Sequence, residues 1–276
     1  MTTVPSVTLA NGVAIPALGF GTSPMAEAEA ESAVAAALRA GYRLIDTAEN
    51  YRNESGVGRA IRSSGIDRDE VFVTTKLNKR WHGEAEAHQA FSNSAERLGL
   101  ERIDLLLIHW PNPQQDRYVD AWRGLIRLLN EGKVRAIGVS NFKPAHLDRL
   151  LDETGVAPHV NQIQLDPRHS RPDERRYNAA HGIVTESWSP IGAGNDLLAE
   201  PTTVELARRR SKTPAQIVLR WHAELGLVPI PKTSQPSRMA ENIDVFDFDL
   251  DEDDMRELTG LDGRGEDVVD SDRFGH

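Results

Sequence analysis

The feature that most narrows the fold is an order repeated along the chain: a short apolar run, a polar turn, then an amphipathic stretch. The apolar runs lie at 17–20, 44–46, 71–75, 103–109, 136–140, 160–165, 183–188 and 227–230. Leu105-Leu106-Leu107-Ile108 shows no polar alternation, which suits a strand buried on both faces, as in a parallel sheet. Helical stretches fit between the runs at 28–40, 85–98, 118–130 and 214–225. Gly41, Gly99, Gly132 and Gly226 serve as stop signals, and Thr213-Pro214 as a cap followed by a first-turn proline. Alternation of strands and helices implies parallel βα units. The chain has 276 residues, near the ~250 of one closed barrel. With eight runs and no glycine-rich Rossmann signature, the fold class expected is α/β, a (β/α)₈ TIM barrel forming one domain over residues 1–276. Residues 6–16 read as an N-terminal β-hairpin closing the bottom of the barrel, with Asn11-Gly12 in a type I′ turn.

Composition excludes several function classes. There is no cysteine, so thiol catalysis, cysteine zinc sites and iron–sulfur clusters are out. Lys+Arg 32 against Asp+Glu 42 gives a net charge of −10, a poor match for nucleic acid, whose phosphates need cations. No apolar stretch reaches the ~18 residues of a membrane span. The first residues lack the basic and apolar segments of a signal peptide. A cytoplasmic monomer is therefore expected. The acidic stretch 247–257 reads as a solvated helix start. No metal-ligand spacing is visible among the nine histidines, and His82 and His88 read as surface residues.

In such a barrel the active site lies at the carboxyl ends of the strands, so the residues ending each run are the candidates. The first run ends in Gly19-Phe20-Gly21-Thr22, a backbone that a ligand could approach closely. The next four end in Asp46, Lys76, His109 and Ser140-Asn141, the sixth carries Gln162, the seventh ends in Ser187-Trp188 and the eighth leads to Lys232. Lysine and aspartate in one enclosed mouth should pair, because an isolated buried charge is costly. Tyr51 follows Asp46 on the nearest loop. A neighbouring ammonium favours the phenolate, so Tyr51 is expected to be more acidic than the ~10 of a free tyrosine and to serve as proton donor to a carbonyl oxygen. His109 is placed to orient that oxygen or to relay a proton.

Several long motifs in order resemble the aldo-keto reductase superfamily. They are Gly41-Tyr42-Arg43-Leu44-Ile45-Asp46-Thr47-Ala48-Glu49-Asn50-Tyr51, Leu105 to Pro111, Gly138-Val139-Ser140-Asn141-Phe142, and 230–242. The look is that of the prokaryotic branch of 2,5-diketo-D-gluconate and broad aldehyde reductases. The resemblance implies a catalytic set of Asp46, Tyr51, Lys76 and His109, and NADPH/NADP⁺ as cofactor. It implies that Ser140, Asn141 and Gln162 hold the nicotinamide carboxamide and that Trp188 stacks on the ring. Lys232, Thr233 and Arg238 would hold the adenosine 2′-phosphate, with Glu241 and Asn242 near adenine and Ser234 also in the cofactor set. Gly21, Thr22, Asp46, Ser189 and Pro190 complete the cofactor set. Phe20, Tyr51, Trp81, His109 and Trp110 are the expected substrate pocket. The reaction implied is hydride transfer to an aldehyde or ketone, with Tyr51 as general acid and no metal.

Two departures bear on substrate. Asn78 stands where many bacterial relatives carry tryptophan, with Trp81 close by to fill the wall. The segment from His109 to Trp122 and the tail over 261–276 are short, so an open, permissive mouth is expected. A competing reading is an NADP(H)-binding regulatory or structural protein; the intact set of four residues argues against it. A hydrolase lacks a G-x-S-x-G elbow or any ligand cluster.

Overall fold

The protein is described by a computed structural model over residues 3–276. It contains the strands β1 (Ser6–Thr8), β2 (Ala14–Pro16), β3 (Phe20–Gly21), β4 (Leu44–Asp46), β5 (Phe72–Leu77), β6 (Ile103–Ile108), β7 (Val134–Ser140), β8 (Val160–Gln164), β9 (Val184–Trp188) and β10 (Val228–Ile230). Strands β3 to β10 form one parallel sheet in chain order. Its two ends meet: the Gly19 and Gly21 N–H groups donate to the carbonyls of Pro229 and Pro231, both at 3.0 Å. The sheet is thereby closed into the expected (β/α)₈ barrel.

The pleat explains how one strand serves two cores. Alternate side chains point to opposite faces. Leu44, Phe72, Leu105, Leu107, Ala136, Val160, Val228 and Ile230 pack together as the barrel interior. Leu106, Ile108, Val73, Ile137 and Val139 pack outward with Val34, Leu38, Phe91, Leu125 and Leu147 of the helical layer. The unbroken apolar stretch 105–108 follows from this, since neither face meets water.

Helices occupy Glu27–Ala40, Glu84–Leu98, Tyr118–Asn130 and Pro214–Glu224, within one residue at each end of the expected stretches. The capping at Thr213 is present: its hydroxyl accepts from the Gln216 N–H, and the Gln216 side chain accepts from the Thr213 N–H. Among the described residues no helix is long and apolar enough to cross a membrane.

The N-terminal hairpin is present, and its Leu9 and Ile15 join the interior core at the bottom of the barrel. Its turn differs from expectation. A type I′ turn needs positive φ at both central residues, but Gly12 has φ 83 and Asn11 is not in the left-handed region. The Gly12 N–H instead donates to the Leu9 carbonyl, and the Leu9 N–H to that of Val13, both at 2.8 Å. The longer loop leaves the Asn11 side-chain amide free to donate to the Arg135 carbonyl at 2.9 Å and dock the hairpin. His82 is a second correction: it is buried, and burial lowers its pKa to about 4. Helical spacing misjudged it because His82 precedes the helix and turns inward with the 3₁₀ segment Lys79–Trp81.

Close packing of the helix Glu54–Ser63 depends on Gly58. A Cβ there would fall inside van der Waals distance of the Leu98 carbonyl group, which is backbone and cannot swing away. Gly58→Ala should therefore lower stability by about 1–3 kcal/mol, despite alanine's helix preference of about 1 kcal/mol. Urea denaturation tests this; an unchanged or raised midpoint would show that the two segments separate freely.

Candidate active site

Extending the inward-facing rows two residues past the apolar core gives the floor of the mouth. Leu44 leads to Asp46, Phe72 through Thr74 to Lys76, Leu107 to His109, Gly138 to Ser140, Val160 to Gln162 and Val184 through Glu186 to Trp188. The same alternation that fills the barrel thus delivers polar side chains to one rim.

Lys76 Nζ lies 2.6 Å from Asp46 Oδ1 and donates to the Thr47 carbonyl at 3.1 Å. Both side chains are almost fully buried. Burial disfavours the ammonium, but Asp46 foremost, with Tyr51 and Glu186, together outweigh it and hold the Lys76 pKa above its ordinary value. Lys76 is charged at any physiological pH.

Tyr51 ends the 3₁₀ segment Glu49–Tyr51, where Arg52 turns the chain with a left-handed φ of 56. Its hydroxyl lies 3.5 Å from Lys76 Nζ, at the outer limit of a hydrogen bond. The tyrosine is not more acidic than usual. Burial pushes its pKa up, and the Lys76 ammonium pulls it back without cancelling that effect; the Asp46 carboxylate adds to the rise. The acidity expected from the neighbouring cation is overridden by desolvation of the phenolate. The His109 ring packs edge-on to the Tyr51 ring, centroids 5.8 Å apart. Burial first, then Lys76, holds its pKa well below the ordinary value, so it is a neutral imidazole.

Gln162 links the pair to the far wall. Its Nε2 donates to Asp46 Oδ2 at 2.8 Å and to Glu186 Oε2 at 2.9 Å. Ser140 Oγ donates to the Gln162 carbonyl at 2.9 Å. Asn141, in the left-handed region at φ 64, donates to the His109 carbonyl at 3.1 Å and accepts from Trp188 Nε1 at 2.8 Å. These bonds tie the ends of β6, β7, β8 and β9 together.

The mouth opens into a cavity of about 1460 Å³, above the ~300–1,000 Å³ of a pocket for a drug-sized ligand. Gly21, Asp46, Tyr51, His109, Trp110, Ser140, Asn141, Gln162, Trp188, Ser189, Pro190, Lys232 and Arg238 line it. Lys232 and Arg238 have no acidic partner among the described residues. Other expected site residues stand back from it. Phe20 is fully buried against Tyr42, Thr22 donates to the Asp46 carbonyl, and Asn242 is buried. Thr233 accepts from the Gln235 N–H, Ser234 is exposed outside the cavity, and Glu241 accepts from the Thr213 hydroxyl. Trp81 donates its indole N–H to Glu49 at 2.9 Å and does not itself line the cavity, whereas Asn78 does.

The tail also departs from expectation. His276 packs 4.9 Å from the His109 ring and Phe274 4.9 Å from Trp110. It is held by Lys79 Nζ on the Gly275 carbonyl at 2.9 Å and by Lys143 on Asp270 and Asp272 at 2.6 and 2.5 Å. The mouth is therefore narrowed by the tail even though its loops are short. Sequence reasoning also passed over Glu186. The signal was there: Glu186 sits two residues before Trp188, on the same face of the strand.

The protein-family model described as "Aldo/keto reductase family" matches residues 16–262. The chain belongs to the aldo/keto reductase family. It is 48% identical over 261 residues to 2,5-diketo-D-gluconic acid reductase B of a Corynebacterium species, covering 95% of this chain and 94% of that protein. It is 45% identical over 271 residues to the methylglyoxal reductase DkgA of Escherichia coli, covering 98% of each. Among solved structures, a mutant of Gox0644 in complex with NADPH superposes with a TM-score of 0.95 at 39% identity, over 100% of both chains. These similarities run along the barrel that carries the pair Asp46–Lys76.

Replacing Lys76 by methionine leaves Asp46 buried without its partner. A loss of about 3–5 kcal/mol of stability is expected, read from chemical denaturation at neutral pH. A loss below about 1 kcal/mol would mean that Asp46 finds another way to shed its charge.

Proposed function

We propose that this member of the aldo/keto reductase family is an NADPH-dependent oxidoreductase that reduces aldehydes and ketones to alcohols, with Tyr51 as general acid. The observation that carries the reading is the Tyr51 hydroxyl 3.5 Å from the Lys76 ammonium, in one cavity with the cations Lys232 and Arg238.

The residues present fit the cofactor. No group among the described residues donates to the Gln162 amide oxygen, which suits an amide N–H donor. Trp188 offers an aromatic wall whose tilt Asn141 fixes. Lys232 and Arg238 suit a phosphate dianion, which a dinucleotide lacking the 2′-phosphate would not offer. When bound, the reduced nicotinamide supplies the hydride.

The chain's own groups manage the proton. A phenol whose pKa is raised stays protonated at neutral pH and holds a proton ready for a carbonyl oxygen. As the proton leaves, the fixed Lys76 ammonium stabilises the phenolate, and the cation is already in place so no reorganisation is needed. His109, neutral, hydrogen-bonds the substrate oxygen without competing as an acid. Asp46 keeps the ammonium from turning away. For substrate we favour small, oxygen-rich carbonyl compounds, the chemistry named for the Corynebacterium and Escherichia relatives. Asn78, the exposed Arg52 and His276 give the rim polar groups that such molecules can use. The reading places the enzyme in the cytoplasm as a monomer acting without a metal.

Tyr51→Phe should cut turnover of small aldehydes by about 10²–10⁴-fold while NADPH still quenches tryptophan fluorescence; undiminished turnover ends the assignment of Tyr51. Arg238→Ala should weaken NADPH binding far more than NADH binding. Equal losses would show that Arg238 does not read the phosphate.

A further inference from the structure

Glu186 is fully buried in the barrel mouth and has no part in the proton path above. It stands beside Gln162 in the β8–β9 register and faces the interior. A carboxyl group in that position needs a reason, since burying it without pairing is costly. Its Oε2 accepts from Gln162 Nε2 at 2.9 Å, while Oε1 has no hydrogen-bond partner among the described residues. The nitrogen of Gln162 is assigned by chemistry as well as by geometry, because an amide oxygen could not lie 2.8 Å from an oxygen of the Asp46 carboxylate, which has no proton to offer.

We propose that Glu186 is a positioning residue of this site, acting through the Gln162 amide: together with Asp46 it takes up both N–H bonds of Gln162 and leaves only the amide oxygen for the carboxamide of the cofactor. The inference rests on the reductase reading for the identity of that ligand, but the binding geometry can be tested separately. A primary amide has two donors and one acceptor atom. Asp46 alone fixes one N–H and lets the side chain swing about that bond. The second bond, to Glu186, removes the swing, and it removes a donor that would otherwise compete for the ligand's own oxygen.

Charge fits this role only if Glu186 carries a proton. Two ionised carboxyl groups on one amide would overbalance the single Lys76 ammonium. Burial first and then the Asp46 carboxylate push the Glu186 pKa up to about 8, with Gln162 and Lys76 opposing. Those are the groups that bear on it: Asp46 from β4, Lys76 from β5, Gln162 from β8, and from β10 only the apolar Val228. A neutral Glu186 leaves Asp46 and Lys76 as a balanced pair.

The sign of the linkage follows. Above the ~4.3 of an unfolded glutamate, the unfolded chain releases a proton that the folded chain keeps. Raising the pH from about 4.3 to about 8 therefore costs the folded wild type stability that Glu186→Gln does not lose. The melting-temperature advantage of Glu186→Gln over wild type should open between pH 5 and 8 and level off beyond it. A gap that stays constant with pH would overturn the neutral carboxyl, and this arm needs no cofactor.

The second arm reads cofactor binding by tryptophan fluorescence. Glu186→Leu, which keeps bulk and loses the acceptor, should weaken NADPH and NADH alike by about tenfold, the size of one hydrogen bond. Glu186→Gln, which restores an acceptor for Gln162, should recover that affinity. Unchanged affinity in Glu186→Leu, or no recovery in Glu186→Gln, overturns the proposal. If Glu186→Leu fails to fold, Glu186→Ala, which also lacks the acceptor, takes its place in the binding measurement. A wild type that binds NADPH tightly but reduces no carbonyl compound would sink the reductase reading and leave both arms standing.

Discussion

Everything at the mouth of this barrel is arranged around one ammonium group that has no water to solvate it. Lys76 Nζ is held by the Asp46 carboxylate at 2.6 Å and the Thr47 carbonyl at 3.1 Å, inside a wall of parallel strands. A charge in such a place is tolerated only with its partner beside it. The pairing fixes where the cation sits, and the Tyr51 hydroxyl is then placed against a positive charge that cannot drift. Asp46 is fixed in turn, since its second oxygen accepts from Gln162 at 2.8 Å. Cation, carboxylate and amide form one unit, and the strand pleat sets the spacing between them.

The balance between burial and charge decides what each group does. Desolvation raises the Tyr51 pKa and lowers that of His109, so both are neutral at physiological pH. Tyr51 therefore holds a proton, and His109 carries no charge to repel Lys76. An ammonium alone would have predicted an acidified tyrosine. The enclosed site gives instead a protonated phenol whose anion is stabilised only as it forms, which is the differential stabilisation that catalysis requires. The same burial pushes the Glu186 pKa up to about 8, which favours its neutral form beside the Asp46–Lys76 pair at neutral pH.

The outer parts of the site answer to different constraints. Trp81 is bonded to Glu49 and lies outside the cavity lining, where Asn78 is found. The tail, anchored by Lys143, Lys79 and His146 on Asp272 at 2.9 Å, brings Phe274 and His276 onto Trp110 and His109. The rim is thus built from residues far apart in the chain, tied by polar contacts at the surface.

The amino-acid sequence by itself determined the eight strands, the helices between them and the side chains at the strand ends, because hydrophobic periodicity and glycine or proline stops act over a few residues. Asp46, Lys76 and His109 were legible in this way, as polar residues ending apolar runs, and Gln162 as a polar residue within one. Glu186 was equally legible in principle, two positions before Trp188, but a charge inside a strand is easily read as an edge feature until the barrel is seen to close around it. The tertiary structure alone decided the turn at Asn11-Gly12, the inward burial of His82, the partner of Trp81 and the folding of the tail onto His109. It also decided the protonation states of Tyr51 and Glu186. Each of these depends on how much water and which distant charges surround a group, and that is set by the three-dimensional enclosure and not by neighbours in the chain.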